Sequence, residues 1–302
     1  MPAGFATLAN ALVYSIPIVI AIATLEGLVL TFVARRAYDW RSYAASLADF
    51  LAREFGVRRF LAFSLALPAI GWAWEHRLMT IPLNGALDGL LAFALLFIGQ
   101  EFCYYWFHRA SHRVRWFWAT HAVHHSPNEF TLAAAYRFGL TGAASGTSLF
   151  YVPLIWLGFP PVAVFATLSL NLLYQFWLHT DWIPRLGWLE HVLNTPSHHR
   201  VHHASNPHYL DANYGGVLIV FDRLFGTLVV ERDDLPCRYG LVKPLLTNNP
   251  LKIAFHEWGA MARDVWQARS WHDRVAFVFG PPGWRPDGTG FTTENLRRGL
   301  VT

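Results

Sequence analysis

Residues 84–112 read NGALDGLLAFALLFIGQEFCYYWFHRASH. Up to Phe107 the stretch carries Asp88 and Glu101 as its formal charges, and as a helix it is long enough to cross the roughly 30 Å hydrocarbon core of a bilayer. It finishes on His108 and His112, four positions apart and therefore one above the other on a helix face. A membrane-length helix that delivers two imidazoles to its end raises two questions: how many such helices surround it, and what the imidazoles meet.

The composition answers in the same direction. Of 302 residues, 54% are hydrophobic, 16% aromatic and 15% charged, which lies outside the average of soluble domains and reads as a membrane protein. Fourteen Trp suit helices with aromatic ends at a bilayer surface, while a mean hydropathy of +0.26 leaves room for a sizeable aqueous part. The net charge of +4 is small and its basic residues are scattered, so a nucleic-acid partner is excluded. Cys103 and Cys237 give no disulfide framework. The first 34 residues hold no Lys or Arg, lack the basic start of a cleaved signal peptide, and are expected to be a retained span.

Working outward, further spans are expected at residues 10–34, 60–74, 139–158 and 161–178, the last two forming a hairpin broken at Gly158, Phe159, Pro160 and Pro161. The fold class is thus an all-α, multi-pass membrane protein of four or five spans. Arg35, Arg36, Arg41, Arg53, Arg58 and Arg59 assign the first loop to the cytoplasm, so the 84–107 span runs inward and brings His108 to that boundary. The uncharged hairpin tip belongs on the far side, which returns His179 to the same depth as His108.

The other histidines repeat the helical spacing. HAVHH places His121, His124 and His125 at i, i+3 and i+4, and HHRVHH places His199, His202 and His203 likewise, with His198 beside them. A single histidine here reads as an ordinary hydrogen-bonded one. A convergent set would repel when protonated and strand acceptors when neutral unless metal is bound. Eight to ten imidazoles exceed what one zinc takes, so two metals are expected in a histidine-rich cytoplasmic cap. Imidazole suits Fe, Zn, Cu or Ni, and the residues alone leave that choice open.

The blocks EFCYYWFHRASH, HAVHHSPNEFTLAAAYR, the long run from Leu172 to Thr227 and YGLVKPLLTNNPLKIAFH resemble the fatty acid hydroxylase and sterol desaturase superfamily of membrane di-iron oxygenases, and within it the alkylglycerol monooxygenase group. The likeness covers about residues 85–260. It implies metal ligation by His108, His112, His121, His124, His125, His199, His202 and His203, with His179 as a further ligand. His198 is expected to be a ligand or its neighbour, and Glu101, on the helix face of His108 and His112, to orient an imidazole. Asp211, Asn213 and Tyr214 in DANYGG are candidates to support the fold or to reach the active site, with Gly215 and Gly216 serving the backbone.

The resemblance implies two Fe ions, O2 as co-substrate, a lipid substrate and an external reductant, with tetrahydrobiopterin as one candidate. The expected activity is hydroxylation of a lipid C–H bond, including the cleavage of glycerol ethers, or else desaturation or hydroxylation of sterol or acyl chains. Arg113 departs from the resemblance, which implies an acidic residue there in the alkylglycerol group, and the extra carboxy-terminal spans of the animal enzymes are not expected in this sequence. A metal transporter is the rival reading, disfavoured because transport sites lie near the bilayer midplane. A zinc hydrolase is disfavoured by the ligand excess.

The expected organisation is residues 1–83 as amino-terminal spans and loop, 84–260 as the oxygenase core, and 261–302 as a C-terminal tail, in which the Gly/Pro-rich stretch GPPGWRPDGTG is expected to be extended and dispensable. The expected location is the bacterial inner membrane, or the endoplasmic reticulum of a eukaryote, with the site facing the cytoplasm. Glu26 inside the first span is expected to be structural.

Overall fold

In the computed structural model, residues 3–56, 66–83, 87–299 and 301 are described. The chain runs through α1 (Ala3–Leu28, continued by a wide turn to Val33), α2 (Trp40–Leu51), α3 (Leu67–Glu75), α4 (Leu87–Arg113) and α5 (Arg115–His121). Then follow α6 (Gly142–Ser145), α7 (Val152–Leu157), α8 (Pro161–Phe176), α9 (Pro196–His203), α10 (Val220–Leu224), α11 (Pro250–Gln267), α12 (Trp271–Phe279) and α13 (Thr293–Arg297). Among the described residues there is no β-strand, and two isolated bridges join Leu193 to Leu218 and Ala204 to Tyr239.

Among the described residues, two segments are long and apolar enough to cross a membrane, Tyr14–Val33 and Leu87–Arg113. Both expose large apolar side chains along one side: Ile18, Ile22, Leu25 and Phe32 on the first, Leu90, Leu91, Leu95 and Ile98 on α4. The opposite side of α4 is buried through Ala92, Leu96, Gln100, Cys103 and Tyr104. Leu96 and Cys103 join Tyr151, Ile155, Phe159 and Val164 in the core between α4, α7 and α8.

Three expectations need correction or restriction. The segment 139–158 is not one helix: Gly146, at φ 80°, separates α6 from a 3-10 turn at Thr147–Tyr151 that leads into α7. Of the expected span 60–74, residues 60–65 lie outside the described residues, and α3 accounts for nine residues from Leu67. Arg58 and Arg59 also lie outside them. The segment 261–302 holds the end of α11 together with α12 and α13. A boundary at 260/261 falls inside α11, whose Ile253, Ala254 and Met261 are buried, and Trp284 packs on Phe277 of α12 at 5.1 Å.

The hairpin between α7 and α8 turns where expected. Gly158 sits at φ 126°, and a Cβ there would run into the Met79 carbonyl. Leu78 N donates to Trp156 O at 2.8 Å and Ile81 N to Gly158 O at 3.1 Å, so the α3–α4 connection and the hairpin tip share one end of the bundle. The first loop lies at the other end. Asp39 caps α2 by accepting from Arg41 N and Ser42 N, its own N–H meets Glu129 Oε2 at 3.0 Å, and Arg36 lies 3.8 Å from Asp181. Glu26 accepts from Leu132 N at 2.7 Å and Trp182 Nε1 at 3.1 Å, which ties α1 to the same end.

Candidate metal centre

The end of α4 projects His108 and His112, α5 ends on His121, and the turn after it carries His124 and His125. His179 lies just beyond α8, and α9 supplies His199, His202 and His203. The structure sorts these nine imidazoles into two groups. His108, His112, His121, His125 and His202 form one, and His124, His179, His199 and His203 the other, with the ligand atoms inside each group within 4.8 Å of one another. The boxes are therefore mixed. On α9, His199 and His203 share a face while His202 points about 100° away from His203, so one helix serves both groups.

Nitrogens crowd toward each centre. Nε2 of His121 lies 3.0 Å from Nε2 of His108 and 3.2 Å from that of His125. His179 Nε2 lies 3.3 Å from His124 Nε2 and 3.0 Å from His199 Nε2. Nε2 of His112, His202 and His203 is buried with no hydrogen-bond partner among the described residues. Burial pushes His124 down to about 4 and His202 to about 3. Burial first, and repulsion from neighbouring imidazoles second, holds His121, His125, His199 and His203 well below the ordinary value, and His179 with them. Neutral imidazoles with inward lone pairs are the form in which histidine binds a transition metal, and the donor set fits one in each group.

The outward nitrogens show how the rings are aimed. Nδ1 donates to a backbone carbonyl in His108 (Tyr214 O, 2.9 Å), His202 (Ala212 O, 2.9 Å), His124 (Arg137 O, 3.2 Å) and His179 (Gln175 O, 2.8 Å). Each such bond fixes the tautomer that leaves Nε2 free for metal. The carbonyls of 212 and 214 face inward because their neighbours Asp211 and Asn213 adopt φ of 54° and 57°, a conformation that Asp and Asn tolerate better than most residues. That is the physical content of DANY. Arg137 is locked by Ser46, Ser126 and Ser42, and Asp49 of α2 accepts from Phe138 N and Gly139 N, so α2 steadies the carbonyl that meets His124.

Aromatic rings close the space around the centres. Phe138 stacks on His124 at 5.8 Å, Phe130 lies 5.1 Å from His203, and Trp118 lies 5.4 Å from His112.

The remaining candidates divide, and Glu101 departs from the expectation that it orients an imidazole. Glu101 touches no imidazole: Oε2 accepts from Val217 N and Leu218 N, both at 2.8 Å, and Oε1 from Asn171 Nδ2. Its charge is spent on the loop behind DANYGG rather than on a ligand. His198 stands outside both groups, with Nδ1 3.4 Å from Thr195 Oγ1. Asn213 donates to His198 O and Val229 O and accepts from Val229 N, a scaffold role. Asp211 does approach a ligand, with Oδ1 3.7 Å from His112 Nδ1.

Sequence reasoning missed Asn171 and Gln175, which continue the Glu101 network to Tyr104. Their signal was present as two amides at i, i+4 inside an apolar helix, where polar side chains must pair.

The comparisons follow the same residues. The fatty acid hydroxylase family profile matches residues 93–227, which contain all nine histidines. The chain is 40% identical over 224 residues to the alkylglycerol monooxygenase of Homo sapiens, covering 74% of this chain and 48% of that protein. It thus spans about half the length of that relative. It is 33% identical over 128 residues to the ornithine lipid hydroxylase OlsE of Rhizobium tropici, covering 42% of this chain and 38% of that protein. It is 30% identical over 203 residues to a Dictyostelium discoideum protein named "Putative methylsterol monooxygenase", covering 63% of this chain and 69% of that protein. No solved structure matches the chain. On the family match and on that coverage, the chain belongs to the fatty acid hydroxylase family.

Proposed function

We propose that the protein is a membrane-bound oxygenase that uses two histidine-held iron ions and O2 to hydroxylate a C–H bond of a lipid. The observation that carries this reading is the pair of buried imidazole groups at the end of a 27-residue apolar helix. The transporter alternative gains nothing from this placement, since the histidines cluster at helix ends.

The proposed topology has α1, the 60–74 segment, α4 and the α7–α8 hairpin in the bilayer. The sharing of one end by the α3–α4 connection and the hairpin tip supports it, as do the contacts of Arg36 and Asp39 at the histidine end. With Arg35, Arg36, Arg41 and Arg53 in the first loop, the histidine end faces the cytoplasm. The exposed apolar stripes of α1 and α4 then face lipid. Residues 84–260 act as the oxygenase core, extended by the packed elements after 260.

Iron in the two groups supplies the redox chemistry that turns O2 against an unactivated carbon. Overall, the substrate C–H, O2, two electrons and two protons give an alcohol and water. The protein's own residues do the rest. The Nδ1 donors hold the rings to their tautomers, Phe130, Phe138 and Trp118 keep bulk water from the centres, and the Glu101, Asn171 and Gln175 network fixes the loop that aims His108 and His202. A lipid chain reaches the site from the bilayer while an external reductant, a reduced pterin being one candidate, approaches from the aqueous side.

The leading substrate is an alkylglycerol, because the identity to alkylglycerol monooxygenase covers 74% of the chain. Hydroxylation at the ether-linked carbon gives a hemiacetal that collapses to an aldehyde and glycerol. Acyl and sterol lipids are the second reading, carried by the likeness to the ornithine lipid and methylsterol proteins. The test is the purified, iron-loaded and reduced protein given 18-O2 and a panel of alkylglycerols, acyl lipids and sterols. Labelled aldehyde from the ether is the expected product. Labelling of another lipid class alone rejects the ether assignment, and no labelling of any lipid overturns the oxygenase reading.

A further inference from the structure

We infer that the C-terminal helix α13 belongs to the support of the first imidazole group and positions His112 through Arg113 and Asp211. This rests on the metal reading above. Three imidazoles of that group face the loop 211–214. His108 and His202 bond to main-chain carbonyls of the loop, which are fixed by the backbone itself. His112 instead faces a side chain, Asp211, at 3.7 Å, close enough for charge contact and too long for a hydrogen bond. The place of that carboxylate decides how the His112 ring turns.

The carboxylate is held from outside the loop. Asp211 Oδ2 accepts from Arg113 Nη1 at 2.8 Å. Arg113 Nη2 donates to Glu294 Oε1 at 2.5 Å, and Arg297 Nη2 donates to the Leu210 carbonyl. Two side chains of α13, Glu294 and Arg297, thus brace Arg113, whose guanidinium holds the acid that faces His112, and Leu210, the residue before that acid. The segment ahead of α13 is anchored as well, since Asn295 Nδ2 donates to Gly288 O and Gly290 O. Asp211 is 12% exposed and Arg113 39% exposed, so their ion pair is sheltered from solvent on the acid's side alone. Glu294, Arg113, Asp211 and His112 therefore form one line from the C-terminal helix to the outer nitrogen, Nδ1, of a ligand histidine. Arg113 orients the acid, and α13 keeps Arg113 from swinging into solvent.

The experiment is an iron(II) titration of the full-length, detergent-solubilised protein against a competing chelator, with iron per chain measured at each step. Glu294→Ala and Asp211→Asn are compared with wild type, with Glu294→Asp as the conservative variant. Asp287→Asn is the control, since that carboxylate accepts from Thr289 within the tail. Loss of an outer partner of a metal-ligating histidine typically costs about 10- to 100-fold in metal affinity. The expected result is one iron equivalent weakened about 10-fold in Glu294→Ala and more in Asp211→Asn. The other equivalent stays at wild-type affinity, and both equivalents stay so in Glu294→Asp and in the control. Wild-type binding of both equivalents in Glu294→Ala and Asp211→Asn overturns the inference and leaves the metal reading standing. Equal weakening of both equivalents overturns it too, because the line of contacts ends on His112 alone. No iron on the wild type overturns the metal reading itself and this inference with it.

Discussion

Nine histidines in this chain do two different jobs with their two nitrogens, one aimed at a centre and, in four of them, one donated to a backbone carbonyl. That these histidines would come together was legible in their repeated close spacing, but that each box would keep one helix face was not, since HAVHH runs from the end of α5 into a turn. Their partition was not legible. It depends on the turn at residues 122–125, which sends His124 away from His121 and His125, and on the rotation of α9. The partition gives a sharp expectation. His202→Ala should weaken metal binding in the first group and His124→Ala in the second, with oxygenation lost in both and the chain still inserted in membranes. Iron per chain and turnover check this, and wild-type values for either variant count against the site. Glu101 shows the opposite failure of legibility: its register with His108 and His112 suggested a ligand's partner, yet its oxygens serve Val217, Leu218 and Asn171. Glu101→Ala strands these buried donors at a cost of about 1–3 kcal/mol each before relaxation. Thermal unfolding in detergent should therefore show a clearly lowered midpoint, whereas an unchanged midpoint would contradict the scaffold role.

At the scale of elements, α4 was readable nearly to its end because an apolar run of that length has few alternatives. The segment 139–158 was not, since hydropathy counts apolar residues without regard to Gly139, Gly142 and Gly146, of which two adopt positive φ. The amphipathic α11 and α12 escaped notice for the reverse reason: their mixed polarity looks like a loop to a search for spans. The hairpin tip is testable by one substitution. Gly158→Ala puts a methyl against the Met79 carbonyl at a φ of 126°, so it should destabilise by more than the roughly 1 kcal/mol typical of a strained Gly replacement, read as a lowered unfolding midpoint. Topology is testable by reporter fusions. Those after Arg36, near Arg115 and after Val230 should report the cytoplasm, and one at Pro160 the opposite side. A reporter near Arg115 on the far side would overturn the proposed placement of the histidines.

On the scale of the whole molecule, one end collects the first loop, the turn after α5, the start of α9 and the C-terminal helices around two imidazole groups, while the other end holds the hairpin tip and the α3–α4 connection. Membrane-length helices thus set the depth of the centres, and the polar segments between and after them supply the partners that aim the rings. A chain that holds two metals this way should carry them in a fixed ratio through purification. Measuring iron per chain by elemental analysis of the full-length protein, purified from membranes and loaded anaerobically with iron(II), tests this most directly. Two irons per chain are predicted, falling to one tightly held iron in His202→Ala or in His124→Ala. Stoichiometric zinc that iron does not displace, or no bound metal at all, would contradict the account.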